Sequence, residues 1–404
     1  IVFINRFFFP DHSATSQLLT DVAFYLAQSE YEVVVVTSRQ TYDNPLVVYP
    51  ARANERGVQV VRVWSTRFGR RHLLGRSLDY VTFYASAFWN LLALTGRDDV
   101  IVAKTDPPLI SVLAALVTRI RGALLINWIQ DLFPEVVSNL IGGQVGRVSQ
   151  SLRSLRNWSL LSARWNVVIG QYMSLKLQQE GIPVERITVI HNWADGQAIR
   201  PIDRRDNELR REWKLHEHFV VGYSGNFGRA HDFQTILDTV HLLRNDSHIV
   251  FIFIGDGAQH AWLRSALTQK GLVNAVFKPY QPRERLHLSL GVPDLHLISL
   301  QPSLEGLIVP SKFYGIAAAG RPTLYVGDTE GEVPTLLRDS NCGFTVSLGQ
   351  AEKAAEIIRS LATDPARCAR YGQNARDVFD AQFDKTRAEH AWRQILNKCA
   401  DHQT

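Results

Sequence analysis

Two cations and a few carboxylates are the residues of this 404-residue chain whose types and spacing could do chemistry. Lys312 lies in the run Leu304 to Asp328, LEGLIVPSKFYGIAAAGRPTLYVGD, where Pro310 sets a helix start and Ser311 and Lys312 fall in the first turn. Free backbone N–H groups and the positive end of a helix dipole favour an anion there, and Lys312 adds a full charge. Arg229 follows the glycine turn Gly225-Asn226-Phe227-Gly228, and a guanidinium suits the delocalised charge of a diphosphate. Together Arg229 and Lys312 would clamp such a group from two sides. The chain has no D-x-D spacing for metal-assisted phosphate binding, so these cations would neutralise a leaving group without a metal. The plain alternative is an ordinary helix packed on a sheet with one exposed lysine.

Residues of this kind need strand ends to hold them. Apolar, strand-like runs alternate with helical segments at Ile1–Asn5, Glu32–Ser38, Val58–Ser65, Val100–Thr105, Leu124–Gln130, Asn166–Gly170 and Ile187–His191. The pattern restarts at Phe219–Ser224, Ile249–Gly255, Ala275–Tyr280, Leu295–Leu300, Thr323–Gly327 and Phe344–Ser347. Strands alternating with helices predict an α/β chain of two Rossmann-like, doubly wound parallel sheets. The expected domains are 1–200 and 201–384, with the Arg- and Asp-rich stretch Asp195 to Glu212 as linker and a helix in 385–404 that crosses back to brace the first domain. Ligands of open parallel sheets sit beyond the carboxyl ends of the strands. In the first domain that rule selects Asp11, His12 and Ser13, then Asp131 and Glu135, and in the second Gly225, Asn226, Gly228, Arg229, Asp256, Gly257 and Tyr280. Neither glycine loop completes GxGxxG, so no nicotinamide or flavin is expected. Asp131 follows a strand and precedes Pro134, so it either faces a ligand or caps the next helix.

The bulk composition narrows the setting. Three cysteines, Cys342, Cys368 and Cys399, have neither metal-ligand spacing nor a disulfide framework and read as packing residues in a reducing compartment. The start of the chain has no signal-peptide pattern, and the single methionine, Met173, implies that the natural chain begins upstream. The net charge is +5, with 20 Lys/Arg against 15 Asp/Glu in residues 1–200 and 24 of each in the remainder. One basic group, Arg62, Arg67, Arg70, Arg71 and Arg76, leads into Tyr80, Phe83, Tyr84, Phe88 and Trp89. Another, Arg147, Arg153, Arg156, Arg164 and Lys176, lies in Val136 to Gln179, which contains no acid. Basic residues running into an aromatic segment suit an anionic membrane surface, and Tyr80 to Gly96 is too short and polar to span one. A solvated basic face over a core helix is the other reading. No nucleic-acid module accompanies the pI of about 9.1.

The segments FINRFFFPDHSATSQLL, NWIQDLFPE, VIHNW, YSGNFGRAHDF, FIGDGA, PYQPRERL and VPSKFYGIAAAGRP, with Gly331-Glu332, stand in the order found in one family. Over nearly its whole length the chain resembles the GT-B glycosyltransferases of family 4, and within them the bacterial enzymes that build capsule, exopolysaccharide or O-antigen units on a lipid carrier. The resemblance implies two Rossmann-like domains facing a central cleft, a nucleoside-diphosphate sugar, most readily a UDP-sugar, held by the second domain, and an acceptor held by the first. It implies retaining hexosyl or N-acetylhexosaminyl transfer to a polyprenyl-diphosphate-linked saccharide at the inner face of the plasma membrane, by a cytoplasmic, peripherally attached enzyme. Asp131 would then orient the acceptor hydroxyl or stabilise positive charge on the donor ring. Glu305 falls close to where the family's other glutamate approaches the donor sugar, whereas Gly315 stands where many members carry a ribose-binding glutamate, which leaves the ribose to Glu332 or the backbone. A nucleotide-sugar epimerase of similar fold and a non-catalytic sugar-nucleotide sensor are the alternatives weighed against transfer.

Overall fold

Runs of Val, Ile, Leu and Phe too short for helices become strands buried on both faces, the usual fate of such runs in parallel sheets. The structure, a computed structural model, describes residues 1–41, 47–68, 73–141 and 146–400. The chain divides into two units, Ile1–His191 with Thr386–Thr404, and Asn192–Lys385.

The first unit contains β1 (Val2–Ile4), β2 (Val34–Ser38), β3 (Arg52–Glu55), β4 (Val58–Val63), β5 (Val100–Lys104), β6 (Leu124–Ile129), β7 (Trp165–Val168) and β8 (Ile187–Val189). They form one sheet in the order β3-β4-β2-β1-β5-β6-β7-β8. All pairs are parallel except β3 with β4, which are antiparallel. Seven of the eight coincide with the apolar runs, and β3 does not. Its sequence, Arg-Ala-Asn-Glu, has no apolar face, and it pairs only because Arg56 and Gly57, at φ 51° and 90°, make the left-handed turn of a tight hairpin. A short charged strand at a sheet edge also discourages pairing with another chain.

The second unit contains β9 (Phe219–Ser224), β10 (Ile249–Ile254), β11 (Ala275–Lys278), β12 (Leu295–Ser299), β13 (Thr323–Val326) and β14 (Gly343–Val346). The order is β11-β10-β9-β12-β13-β14, all parallel. In each sheet the strand order reverses beside the first strand, between β1 and β5 and between β9 and β12. The loops after those strands therefore border a crevice at the sheet edge.

Two expectations change. The stretch Asp195 to Glu212 is not a free linker, because it folds into the second unit. Residues Glu208–Glu212 are helical, and Arg210 is fully buried, donating to both carboxylate oxygens of Asp294 at 3.0 and 2.8 Å and to the Val292 carbonyl at 2.7 Å. A charged segment resembles a linker only when its charges are unpaired, and these are paired inside the fold. The division accordingly falls between residues 191 and 192. The helix Lys385–Ala400 packs on the first unit, with the Trp392 ring 4.5 Å from that of Trp128 and His390 stacked on Tyr25. All three cysteines are free and buried, and burial pushes their thiols up to about 12, 12 and 11 in chain order.

Candidate active site

The second unit builds a candidate site of its own from loops after β9, β10 and β12. Beyond β9 the chain turns through Gly225 at φ 127°, and a Cβ there would stand 2.8 Å from Lys312 Cε. That position is glycine because the lysine stem crosses it. Lys312 begins the helix Lys312–Ala318, whose seven residues carry only a small dipole, so anion binding falls mainly on the side-chain charge. Its Nζ lies 3.0 Å from His231 Nε2 and 5.1 Å from the centre of the Tyr223 ring. Lys312 has no carboxylate partner among the described residues, and burial lowers its pKa to about 8. Arg229 is exposed on the turn after β9 and likewise unpaired among the described residues. The sequence reading did not find His231, although it stands two residues after Arg229 in the same GRAHD run.

The loop residues around these cations have defined tasks. Gly257, at φ 150°, lets its chain run against Asn226 and Phe227, since a Cβ there would meet Asn226 Oδ1 at 2.4 Å. Asp256 is exposed and accepts from its neighbour Gly257 N at 2.7 Å, and Tyr280 is an exposed ring past the end of β11. Ser311 is exposed and caps no backbone N–H, while Gly228 accepts from Gln259 Nε2 at 2.7 Å through its carbonyl. Glu305 is tied down. Its two oxygens accept from Tyr325 Oη at 3.0 Å and from the backbone N of Glu332 at 2.9 Å, the first residue of the helix Glu332–Asp339. Gly331 leaves room for this approach, because a Cβ there would lie 2.3 Å from Glu305 Cδ. Glu305 thus caps a helix from another loop, and burial holds its pKa above the usual carboxylate range. Glu332 is buried.

The first unit gathers carboxylates instead. Asp131 lies beyond β6 and does not cap the helix Glu135–Ile141, since its carboxylate makes no hydrogen bond among the described residues. The surrounding protein, and then Asp106, push Asp131 up to about 6, with Lys104 opposing; its own surface is open to water. Lys104, the last residue of β5, is fully buried with its Nζ 3.3 Å from the centre of the Trp128 ring and no hydrogen-bond partner among the described residues. Burial lowers its pKa well below the usual lysine value. Asp11 is buried and shapes its loop, its Oδ1 accepting from Ser13 N at 2.9 Å, while Ser13 caps the helix Ala14–Ala27 by accepting from Ser16 N. His12 is exposed at the same turn. Glu135 departs from the expectation of an open acceptor ligand, because its carboxylate is held by Arg156 at 2.7 Å and Arg153 at 3.3 Å.

The family description of the glycosyl transferase 4-like domain matches residues 15–193, and that of the glycosyl transferases group 1 matches residues 205–378. The chain belongs to the family 4 glycosyltransferases of GT-B architecture. The probable glycosyltransferase WbjE of Pseudomonas aeruginosa is 27% identical over 302 residues, covering 73% of this chain and 74% of that protein. HepE of Anabaena, solved with UDP, matches 98% of this chain and 99% of its own with a TM-score of 0.75 at 17% identity. WaaG, a glycosyltransferase involved in lipopolysaccharide biosynthesis, matches 96% of this chain and 98% of its own with a TM-score of 0.72 at 15% identity. At those identities the two solved structures speak for the fold alone. As an enzyme of glycosyl transfer, the chain is neither an epimerase nor a passive sensor.

The surface of this glycosyltransferase revises the basic and aromatic clusters. Arg62 is buried, donating to the Phe9 carbonyl at 3.0 Å, and Arg156 is buried against Glu135. Arg67 and Arg76 are exposed; Arg70 and Arg71 lie outside the described residues. The aromatic run divides by helical period. On the helix Leu73–Leu94, Phe83 is buried and Tyr84 and Phe88 pack against the same core. The outward row is Leu74, Leu78, Val81 and Trp89, continued by Trp64 and Phe68 before the helix, all exposed. No helix of the described residues is long and apolar enough to cross a membrane.

Proposed function

We propose that this chain moves a sugar from a nucleoside-diphosphate sugar, with a UDP-sugar the first candidate, to a polyprenyl-diphosphate-linked saccharide in the assembly of a bacterial surface polysaccharide. The observation that carries this reading is the half-buried Lys312 ammonium, without a carboxylate partner among the described residues, together with the free Arg229 on the turn after β9, both at the carboxyl ends of the second sheet. A cation left unneutralised in a protein groove is costly unless an anion completes it. A diphosphate fits both its charge and the glycine-lined approach formed by Gly225, Gly228 and Gly257, with Asn226, Asp256, Ser311, Glu305 and Glu332 around the sugar and ribose. The exposed ring of Tyr280 offers a face for a base. The UDP held by HepE supports uracil as the first base to try.

In the first unit Asp131, with Asp11, His12 and Ser13, would orient the acceptor, and Glu135 would act only through its arginines. Transfer breaks the bond from the anomeric carbon to the diphosphate oxygen and forms one to the acceptor oxygen. The acceptor's proton passes to the departing diphosphate, as in the retaining chemistry the family implies. Arg229 and Lys312 stabilise the charge on that diphosphate. The absence of D-x-D supports metal independence, so activity should survive EDTA. The outward apolar row with Arg67 and Arg76 supports attachment to the cytoplasmic face of an anionic membrane, and the role of WaaG in lipopolysaccharide biosynthesis supports the acceptor class. A thermal-shift screen of UDP-, GDP- and dTDP-sugars tests the donor reading. A ligand at a hundredfold excess over Kd should stabilise the fold by about 2.7 kcal/mol. No shift with any of the three would sink it.

A further inference from the structure

We propose that His231 is the positioning residue that holds the Lys312 ammonium in place, by accepting a hydrogen bond from Nζ on its Nε2 lone pair. The inference rests on the diphosphate-clamp reading and adds to it the residue that fixes the clamp's geometry. The tautomer follows from the partners. His231 Nδ1 faces the Ser299 carbonyl, which can only accept, so Nδ1 carries the proton. Burial first, and then the nearby Lys312 charge, lower the pKa of His231 to about 3, so the ring is neutral and Nε2 presents a lone pair. That lone pair lies 3.0 Å from Lys312 Nζ.

The backbone that carries the ring is anchored from several sides. Asp232 N donates to Ser299 Oγ at 2.8 Å, and His231 N donates to the Gly228 carbonyl at 3.2 Å. Gln259 Nε2 donates to the carbonyls of Gly228 and His231 at 2.7 and 2.9 Å. The turn between β9 and its following helix is thereby fastened to the end of β12 and to the residue preceding the helix His260–Gln269. Lys312 is a long side chain with four torsions, and without a fixed acceptor it would lose rotamer freedom when an anion arrived. With one of its three N–H groups committed to His231, the other two are free to donate to phosphate oxygens. Among the described residues, the titratable groups in contact with Lys312 are His231, from the turn after β9, and Tyr223, from β9 itself.

The test titrates UDP, GDP and dTDP in parallel into the wild-type protein and four variants, with melting temperatures measured alongside. The variants are Lys312→Ala, His231→Leu, His231→Gln and the double variant His231→Leu/Lys312→Ala. His231→Leu removes the acceptor, and His231→Gln can restore one through its amide oxygen. We expect the bound nucleotide to weaken about tenfold or more in Lys312→Ala and several-fold to tenfold in His231→Leu, with His231→Gln recovering most of the loss. The double variant should bind no more weakly than Lys312→Ala, because the two residues act as one unit. Losing the acceptor favours the neutral amine, so the alkaline fall in affinity should begin at lower pH in His231→Leu than in wild type. A simple loss of turn rigidity would not move it. If Lys312→Ala loses affinity while His231→Leu binds as wild type does, or if the two losses add in the double variant, the positioning role is overturned and the clamp stands. If no nucleotide binds wild type, or Lys312→Ala binds normally, the clamp reading itself falls.

Discussion

The two units share one architecture and differ in what they place at the same topological position. Beyond the strand ends of the first sheet stand Asp11, Asp106 and Asp131, with the cations Lys104 and Arg6 both buried. Beyond those of the second stand Arg229 and Lys312, with a neutral histidine as support. Their surfaces differ too. Of the large hydrophobic side chains that are exposed among the described residues, sixteen lie in the first unit and three, Trp262, Val273 and Tyr280, in the second. A doubly wound sheet supplies strand ends and loops without specifying their charge, so under the proposed function it is the loop residues that would make one unit a seat for an anion and the other a seat for hydroxyls and lipid.

The sharpest way to break this contrast is to remove the cations. Lys312→Ala and Arg229→Ala are each expected to cost about 2–4 kcal/mol of transition-state stabilisation, roughly 30- to 1000-fold in turnover. Melting temperature should hold or rise in Lys312→Ala, because the folded state lowers this amine's pKa to about 8 and so disfavours its charged form at neutral pH. Wild-type turnover in both variants would show that the second unit's charge has no part in transfer.

The matching change in the first unit is Asp131→Asn. Turnover should fall by roughly a hundredfold, as for loss of an oriented catalytic carboxylate. In wild type the acid limb of activity should have its midpoint near pH 6, the value to which Asp131 is raised. The sign for stability is opposite. A carboxyl with a raised folded pKa stabilises the fold most fully at low pH, and that contribution is lost as pH rises through about 6. The Asn variant should therefore melt at or above the wild-type temperature at pH 7. Unchanged turnover and pH profile would return Asp131 to a structural residue.

A smaller effect should come from Gly225→Ala, where the new Cβ meets Lys312 Cε and the backbone sits at φ 127°. Strain of about 1–3 kcal/mol should lower the melting temperature, and displacement of Lys312 should cut turnover by roughly tenfold. Full activity would mean that the lysine can work from another position. The mildest prediction concerns the first unit's surface. Trp64→Ser and Trp89→Ser should each weaken binding to anionic vesicles by about fivefold, near 1 kcal/mol of partly buried apolar surface, without altering melting temperature. Sedimentation with vesicles at low and high salt would read this, and equal binding by both variants would detach the apolar row from any membrane role.

What the chain's local pattern determined is the framework. Thirteen of the fourteen strands coincide with apolar-rich runs readable one segment at a time, because strands covered on both faces of a parallel sheet are short and mostly apolar whatever lies elsewhere. Glycine turns and a lysine after proline were legible for the same reason. Only the tertiary structure decided which charges are free. Arg62, Arg156, Arg210, Glu135 and Glu305 resemble Arg229, Lys312 and Asp131 in sequence, yet the first five are paired and the last three have no carboxylate or guanidinium bound to them among the described residues. Lys312 meets His231 across 81 positions, and Arg210 meets Asp294 across 84. Whether a charge is available depends on the partner that folding brings to it, and composition or period within a window of twenty residues carries no information about a partner so far along the chain.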